Sequence, residues 1–383
     1  MYPVACLNPK LSTLNSQLAP PSPYNDRRVL VTGHTGFKGS WLCEWLIALG
    51  ADVTGLALDP ATTPAVFDQL KLSGRLHDHR GDIRDEATVL ELVKRVRPHF
   101  VFHLAAQPLV RLSYEQPVAT YATNVMGTVH VLDALRRVGT PCTVVVVTTD
   151  KCYENREWLH SYREEDPLGG HDPYSSSKGA AELVVSAYRR SYFSTPDSPI
   201  RIASARAGNV IGGGDWALDR IVPDCIRALQ EGRPIRVRNP HATRPWQHVL
   251  EPLSGYLTLA ARLSEGVHQR AALAGAFNFG PPVSSNRTVG DLVQEILKHW
   301  PGVMEEGSDP KAPHEANLLN LSTDKAHHLL GWRPLWGFGR SVAETVKWYR
   351  ASLQHPSTAP TDTTASQLGS YRNELSEAGS PHR

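Results

Sequence analysis

The stretch Gly33-His34-Thr35-Gly36-Phe37-Lys38-Gly39 constrains this chain more than any other feature. It directly follows an apolar run, Arg28–Thr32, and opens an apolar helical stretch, Gly39–Leu49, that ends at Gly50. Glycines in a strand-to-helix turn allow a tight bend and let the backbone approach a pyrophosphate, which then lies on the positive helix N-terminus. Such a motif is informative only between a strand and a helix at the start of a βαβ series. Further elements supply that series. Strands are expected at 53–58, 76–80, 100–104, 143–149 and 200–206, and helices at 85–97, 119–138 and 173–191. Several of these strands are continuously apolar, as strands covered on both faces must be. The expected fold class is therefore α/β, a Rossmann-type doubly wound parallel sheet over residues 28–212.

Beyond Gly212 the alternation lapses. Helices are expected at 219–231, 251–263, 288–300 and 324–330, with a short strand at 235–238 and loops rich in Pro and Gly. This reads as a smaller mixed α/β C-terminal substrate domain, 213–353, partly interleaved with the first. Residues 1–27 hold five prolines and lack the basic-then-apolar order of a signal peptide, so a disordered extension is expected. A transit peptide or a misplaced start are the alternatives, and Cys6 lacks the preceding apolar segment of a lipoprotein site. The Ser/Thr/Pro-rich tail, 354–383, is also expected to be disordered. Lys+Arg number 40 against Asp+Glu 38, a net charge of +2 that provides no broad field for nucleic acid or membrane. Five scattered cysteines without zinc spacing suggest reduced thiols and a cytoplasmic enzyme. No apolar stretch is long and uninterrupted enough for a transmembrane helix.

Two further features narrow the chemistry. Asp59 lies 20 residues past Gly39, where a carboxylate would accept hydrogen bonds from an adenosine ribose and repel a 2′-phosphate. A plain turn residue before Pro60 is the competing reading. Tyr174 and Lys178 sit at i and i+4 near the start of a helix, on one face. A lysine beside a phenol would stabilise the phenolate, lowering its pKa toward the range of a useful base. Alone, YxxxK could be a solvated helix face; about 140 residues after the glycine motif, it is much more specific.

Together the two motifs resemble the extended short-chain dehydrogenase/reductase superfamily, whose members act on nucleotide sugars, over about residues 28–350. The resemblance implies NAD as cofactor, with Gly33, Thr35, Gly36, Phe37 and Gly39 at the pyrophosphate and Asp59 at the ribose. It also implies Asp82 and Ile83 at the adenine, Leu104, Ala105, Ala106 and Gln107 lining the cofactor, and Asn124 supporting the site. The runs VTGHTGFKGSWL, HLAAQPLVR, DKCYENREW, GGHDPYSSSKGAAELV, ARAGNVIGGGDWALDR and RPWQHVLEPLSGYL are similar to the CDP-glucose 4,6-dehydratase family. That family carries Thr-Asp-Lys, as at Thr149-Asp150-Lys151, where dTDP-glucose dehydratases carry Thr-Asp-Glu.

This narrower resemblance implies a hydro-lyase converting CDP-glucose to its 4-keto-6-deoxy form, in deoxysugar and O-antigen or other polysaccharide biosynthesis. Tyr174 would take the C4 hydroxyl proton, Thr149 hold the C4 oxygen, and Lys178 tune Tyr174. Asp150 would protonate the departing C6 hydroxyl and Lys151 assist loss of the C5 proton. A surface salt bridge is the bland reading of Asp150 and Lys151, but the carboxyl end of a parallel strand favours a site. Arginine suits bidentate diphosphate recognition, and Arg220, Arg236, Arg238 and Arg244 cluster in sequence. Family position supports Asn209 and Arg244, and Arg220 less directly. An exposed strand face explains Arg236 and Arg238 comparably well. His103, His241, His248, His327 and His328 lack acidic or Cys partners at ligand spacing, so no metal is expected. The family also implies a homodimer through a four-helix bundle of 119–138 and 173–191, where Val125, Val129, Leu132, Leu135, Ala180, Ala181, Leu183 and Val184 exceed what one sheet face needs. An epimerase or reductase on the same fold, or a regulatory NAD(H)-binding module, remain the rival functions.

Overall fold

A computed structural model describes residues 22–195, 197–265, 270–307 and 318–378. Seven parallel strands form the central sheet: β1 (Arg28–Thr32), β2 (Asp52–Ala57), β3 (His77–Arg80), β4 (Phe100–His103), β5 (Cys142–Val147), β6 (Ile200–Arg206) and β7 (Ala276–Asn278). Their order is β7-β6-β5-β4-β1-β2-β3, with the chain reversing direction across the sheet between β1 and β4. In such a sheet, ligands bind outside the carboxyl ends of the strands at this switch point. Strand β7 was not foreseen. It comes from within the C-terminal region and extends the main sheet beside β6, so the two regions share one sheet.

Two apolar layers sandwich the sheet. One holds α2 (Glu86–Val96), α3 (Gly127–Val138) and α4 (Pro173–Ser191), with Leu132, Leu135 and Val185 packed on Val144, Val146 and Ile202. The other holds α1 (Phe37–Ala48), α5 (Ile221–Gln230), α6 (Leu250–Ser264), α7 (Val289–His299) and α8 (Phe338–Gln354) around Trp41, Trp336 and Trp348. Local chemistry sets the boundaries. Asp85 accepts the Ala87 N–H at the start of α2, which ends at left-handed Arg97 before Pro98. Asp172 caps α4 by accepting the Ser175 N–H, with Pro173 in the first turn, and Gly139 closes α3 at φ 64°. Chain 117–138 is helical but interrupted by a π-helical segment, Ala122–Met126, ahead of α3.

The expectation of disorder at both ends needs correction where residues are described. Residues 1–21, with Cys6, lie outside them. Tyr24, within the expected extension, is buried against Phe100, ring centroids 4.8 Å apart, and donates to the Leu257 carbonyl. Ala359–Ala378 forms a helix, α9, in the segment read as a disordered tail. Leu368 and Tyr371 bury one edge of α9; Tyr371 meets Trp45 and Trp336 edge-on and donates to Glu251 at 2.7 Å. Two anchors with cooperative partners outweigh the polar composition that suggested disorder. Among the described residues, no helix is long and apolar enough to cross a membrane. Cys43, Cys142, Cys152 and Cys225 are buried free thiols.

Candidate active site

The glycine turn lies at the carboxyl end of β1. Gly33 has φ 77° and its N–H donates to the Leu56 carbonyl; a Cβ there would sit 2.7 Å from the Ala105 nitrogen. A Cβ on Gly39 would strike the Gly33 carbonyl. Gly36 begins α1 with no side-chain cap and no acidic residue in the first turn. A cradle that admits only glycine, facing an uncapped helix N-terminus, fits a dinucleotide pyrophosphate. Thr35 donates to the Leu58 carbonyl at 3.0 Å, while half-buried Phe37 packs on the core. The remaining expected lining follows the same edge. Just past β4, the Ala105 N–H donates to the Thr32 hydroxyl at the end of β1, and Leu104 and Ala106 are half-buried. Ile83 is buried, and Asp82 is held by Arg84, whose neighbouring guanidinium lowers its pKa.

Asn124 explains the π-helical interruption. Its side chain is buried, accepts the Gln107 N–H at 2.8 Å and donates to the Gln107 carbonyl and to Ser177. Ser177 in turn donates to the Tyr174 carbonyl. One wider turn thus lets a single amide fasten the β4 loop to the first turn of α4. The Gln107 side chain donates to the Leu109 carbonyl in its own loop and to Thr120 in the helical segment Pro117–Tyr121.

The catalytic candidates converge. Thr149 and Asp150 are buried just past β5, and Thr149 Oγ1 donates to Asp150 Oδ1 at 2.9 Å. Asn209, at φ 48°, donates to the other carboxylate oxygen at 3.3 Å. Gly208 is packed against Asp150 so closely that a Cβ would overlap the carboxylate. Tyr174 is buried beside these groups, and the Thr149 hydroxyl and the Asp150 charge both act on its phenol. Lys178, one turn on, donates to the Val147 carbonyl at 3.3 Å. Lys151, the residue after Asp150, lines a cleft of about 280 Å³ with Tyr153, His171, Asp172 and Ser175.

Electrostatics revise one expectation. Burial pushes the Tyr174 phenol up to about 12, while the Thr149 hydrogen bond and the Arg220 charge pull it down. Lys178 is itself pushed down to about 8 by burial. The phenol is therefore protonated at neutral pH in the chain alone, not lowered by Lys178 as its spacing implied. Desolvation by burial is the largest influence on the phenol.

The arginines divide. Arg220 pairs with Asp215 at 2.9 Å and its charge is felt by Tyr174, so it faces the site. Arg238 pairs with Asp219 at 3.2 Å, and Asp219 also meets Arg111 at 3.4 Å. Arg244 is buried on Thr243–Pro245 and donates to its neighbouring Thr243 carbonyl. Arg236 is exposed opposite Glu305, the plain strand face. Asp59 is 90% exposed beyond β2, 3.6 Å from Arg80. Sequence reasoning passed over two groups. Lys38, inside the glycine motif, is pushed down to about 8 by burial and Arg220, with Asp150 and Asp215 opposing. A cation in the first turn of a helix, where it opposes the dipole, was the available signal. Glu182, one turn beyond Lys178, is buried and bonded to Thr148, Ser204 and Arg206. His103 and His248 are buried structural residues, the first between Thr32 and Thr128, the second between Trp41 and Trp336. Among the described residues no three His, Cys, Asp or Glu side chains group as a metal site.

A switch-point sheet, a glycine cradle and a Thr149–Tyr174–Lys178 cluster define an extended short-chain dehydrogenase/reductase. A family model described as GDP-mannose 4,6 dehydratase matches residues 30–345, and the chain belongs to that family. A CDP-glucose 4,6-dehydratase of Salmonella typhimurium is 49% identical to it over 86% of this chain and 92% of that one. A dTDP-glucose 4,6-dehydratase of Streptomyces antibioticus is 29% identical over 84% and 92%. The Thermus thermophilus UDP-glucose 4-epimerase in complex with NAD superimposes with a TM-score of 0.72, 26% identity and coverage of 85% and 99%. A Bacillus anthracis dTDP-glucose 4,6-dehydratase with NAD, 21% identical, has a TM-score of 0.70 over 86% and 98%, likeness of fold.

Proposed function

We propose that this chain is an NAD-dependent hydro-lyase converting CDP-glucose to CDP-4-keto-6-deoxyglucose. The observation that carries it is the buried Thr149–Asp150–Tyr174–Lys178 cluster at the carboxyl end of β5, next to Lys151 in the chain, in a protein 49% identical to a CDP-glucose 4,6-dehydratase. Bound NAD would supply a temporary hydride acceptor, taking hydride from C4 and returning it to C6. Gly33, Gly36 and Gly39 hold its pyrophosphate against α1. Tyr174 accepts the C4 hydroxyl proton, and Thr149 orients the C4 oxygen. The resulting ketone acidifies C5–H, Lys151 assists that proton's departure, and Asp150 protonates the leaving C6 hydroxyl, releasing water. Asn209 and Thr149 each donate to one Asp150 oxygen, which fixes the carboxyl group within the buried cluster.

Arg220, Arg238 and Arg244 are assigned to the nucleotide diphosphate. The product would feed deoxysugar biosynthesis in the cytoplasm. Incubating the protein and NAD⁺ with CDP-, dTDP-, GDP- and UDP-hexoses tests the reading by product mass. Loss of one water from CDP-glucose foremost is expected; turnover of another nucleotide hexose but not CDP-glucose rejects it.

The same reading includes a homodimer. Leu132, Leu135 and Ala181 face the sheet, whereas Leu183 (61%), Val118 (82%), Met126 and Tyr121 remain exposed on the outer side of α4 and the preceding helical segment. That outer face supports pairing with a second copy into a four-helix bundle. Light scattering at micromolar concentration should give twice the chain mass; a monomer rejects the dimer.

A further inference from the structure

Three consecutive glycines, Gly212-Gly213-Gly214, precede the loop Asp215–Arg220, which carries the arginine that faces the site. Glycine backbone loses more conformational freedom on ordering than any other, so a loop on such a hinge has to be held from outside. Helix α8 holds it. A Cβ on Gly213 would overlap the Trp348 indole, and one on Gly214, at φ 82°, would meet Val66 at 2.6 Å. The Trp348 indole N–H in turn donates to Thr364 of α9 at 2.8 Å. Tyr349, the next residue of α8, is fully buried; its hydroxyl donates to the Asp215 carbonyl and its ring meets Trp216 edge-on, centroids 5.1 Å apart. Arg227 of α5 secures the following limb, donating to the Trp216 and Ala217 carbonyls at 3.1 and 3.2 Å. Within the loop, one Asp215 carboxylate oxygen accepts the Ala217 N–H at 3.2 Å and the other accepts from Arg220 at 2.9 Å. A single residue, Asp215, therefore joins the Tyr349 hydroxyl to the Arg220 guanidinium.

We infer that Tyr349 is a positioning residue for the substrate's diphosphate, acting through Asp215 on Arg220; the inference rests on the assignment of Arg220 to that diphosphate. A long arginine side chain gives up much rotamer freedom when it grips a phosphate, and one already oriented by a carboxylate gives up less. Asp215 supplies that orientation only while its own backbone stays put. The glycines before it cannot fix it, whereas the Tyr349 hydroxyl and the Trp348 ring do. Tyr349 lies buried beneath the loop and so acts through it, with no part in the chemistry itself.

Calorimetric titration of the full chain with CDP and with NAD⁺ tests this without turnover. Tyr349→Phe keeps the ring against Trp216 and removes only the hydroxyl, so its NAD⁺ binding should match the wild type. Its CDP binding should weaken about two- to tenfold, the range one hydrogen bond supplies. Arg220→Gln should weaken CDP binding by at least as much. Tyr349→Phe/Arg220→Gln should weaken it no further, because both changes break the same path. Unchanged CDP binding in Tyr349→Phe, or losses that add in the double variant, overturn the positioning role. Equal weakening of CDP and NAD⁺ binding in Tyr349→Phe overturns it too, since that marks a general loosening of the fold. A wild type that binds NAD⁺ but not CDP overturns instead the substrate reading on which the inference rests.

Discussion

Tyr174 illustrates how a residue's role and its electrostatics are separate questions. The i, i+4 spacing with Lys178 located the reactive phenol, but burial holds its pKa up at about 12 in the chain alone. A base that is mostly protonated delivers more of its active form as pH rises, so turnover should increase between about pH 6 and pH 9. A pH-independent rate across that span would show another group to be the base. Tyr174→Phe should cost about 10²–10⁴-fold and abolish NADH formation with substrate bound. Lys151→Ala leaves that oxidation machinery intact. It should accumulate 4-keto hexose and bound NADH while slowing exchange of the C5 hydrogen with deuterated solvent. Wild-type C5 exchange in Lys151→Ala would leave this lysine as a family marker only.

At the scale of elements, the sequence revealed the glycine turn, strands β1, β2 and β4 to β6, and α4 because each carries a strong local signal, whereas polar, part-exposed β3 read only weakly. Buried strands read as apolar runs, and Asp172-Pro173 announces α4. What stayed hidden depended on distant partners. Strand β7 is three residues long and is a strand only because β6 offers it a ladder. Helix α9 shows Thr364, Leu368, Tyr371 and Leu375 at helical spacing, but its polar composition masked a stripe that acquires value only against Trp45 and Trp336. Lys38 and Glu182 were passed over for the same reason, since their significance lies in the charges across from them. Glu182 also fixes α4 on the sheet, pairing with buried Arg206 at 2.9 Å. Removing one member of a buried pair strands the other, so Glu182→Gln should destabilise the fold by about 3–5 kcal/mol in urea unfolding. A change near zero would mean the pair does not anchor α4.

Across the whole molecule, two layers of core close over a sheet, with buried His103 on central strand β4 and buried His248 on a short strand paired with Val210–Ile211. Burial, reinforced by the Lys178 charge, pushes His103 down to about 3 from its ordinary 6.5. Burial does the same to His248. An unfolded chain would protonate both below pH 6.5, so their contribution to stability is complete above that pH. It is lost as the pH falls toward 3, by about 1.4 kcal/mol per unit for each. Glu251, pushed up to about 7, acts in the opposite sense, its contribution being lost as pH rises from 4.5 through 7. Comparing His103→Gln with the wild type therefore isolates one histidine. The variant should lose less stability between about pH 6.5 and pH 4.5. Equal slopes would contradict a neutral buried His103.

In the proposed reaction one site oxidises C4, eliminates water across C5 and C6, and reduces C6 without releasing the hydride. It is tested most directly with CDP-glucose deuterated at C4, incubated with the protein and NAD⁺ and followed by mass and proton resonance. The account predicts a product lighter by one water, with the deuterium on the C6 methyl and no accumulation of free reduced cofactor. Deuterium retained at C4 in a product of unchanged mass, or recovered in free NADH, would contradict it.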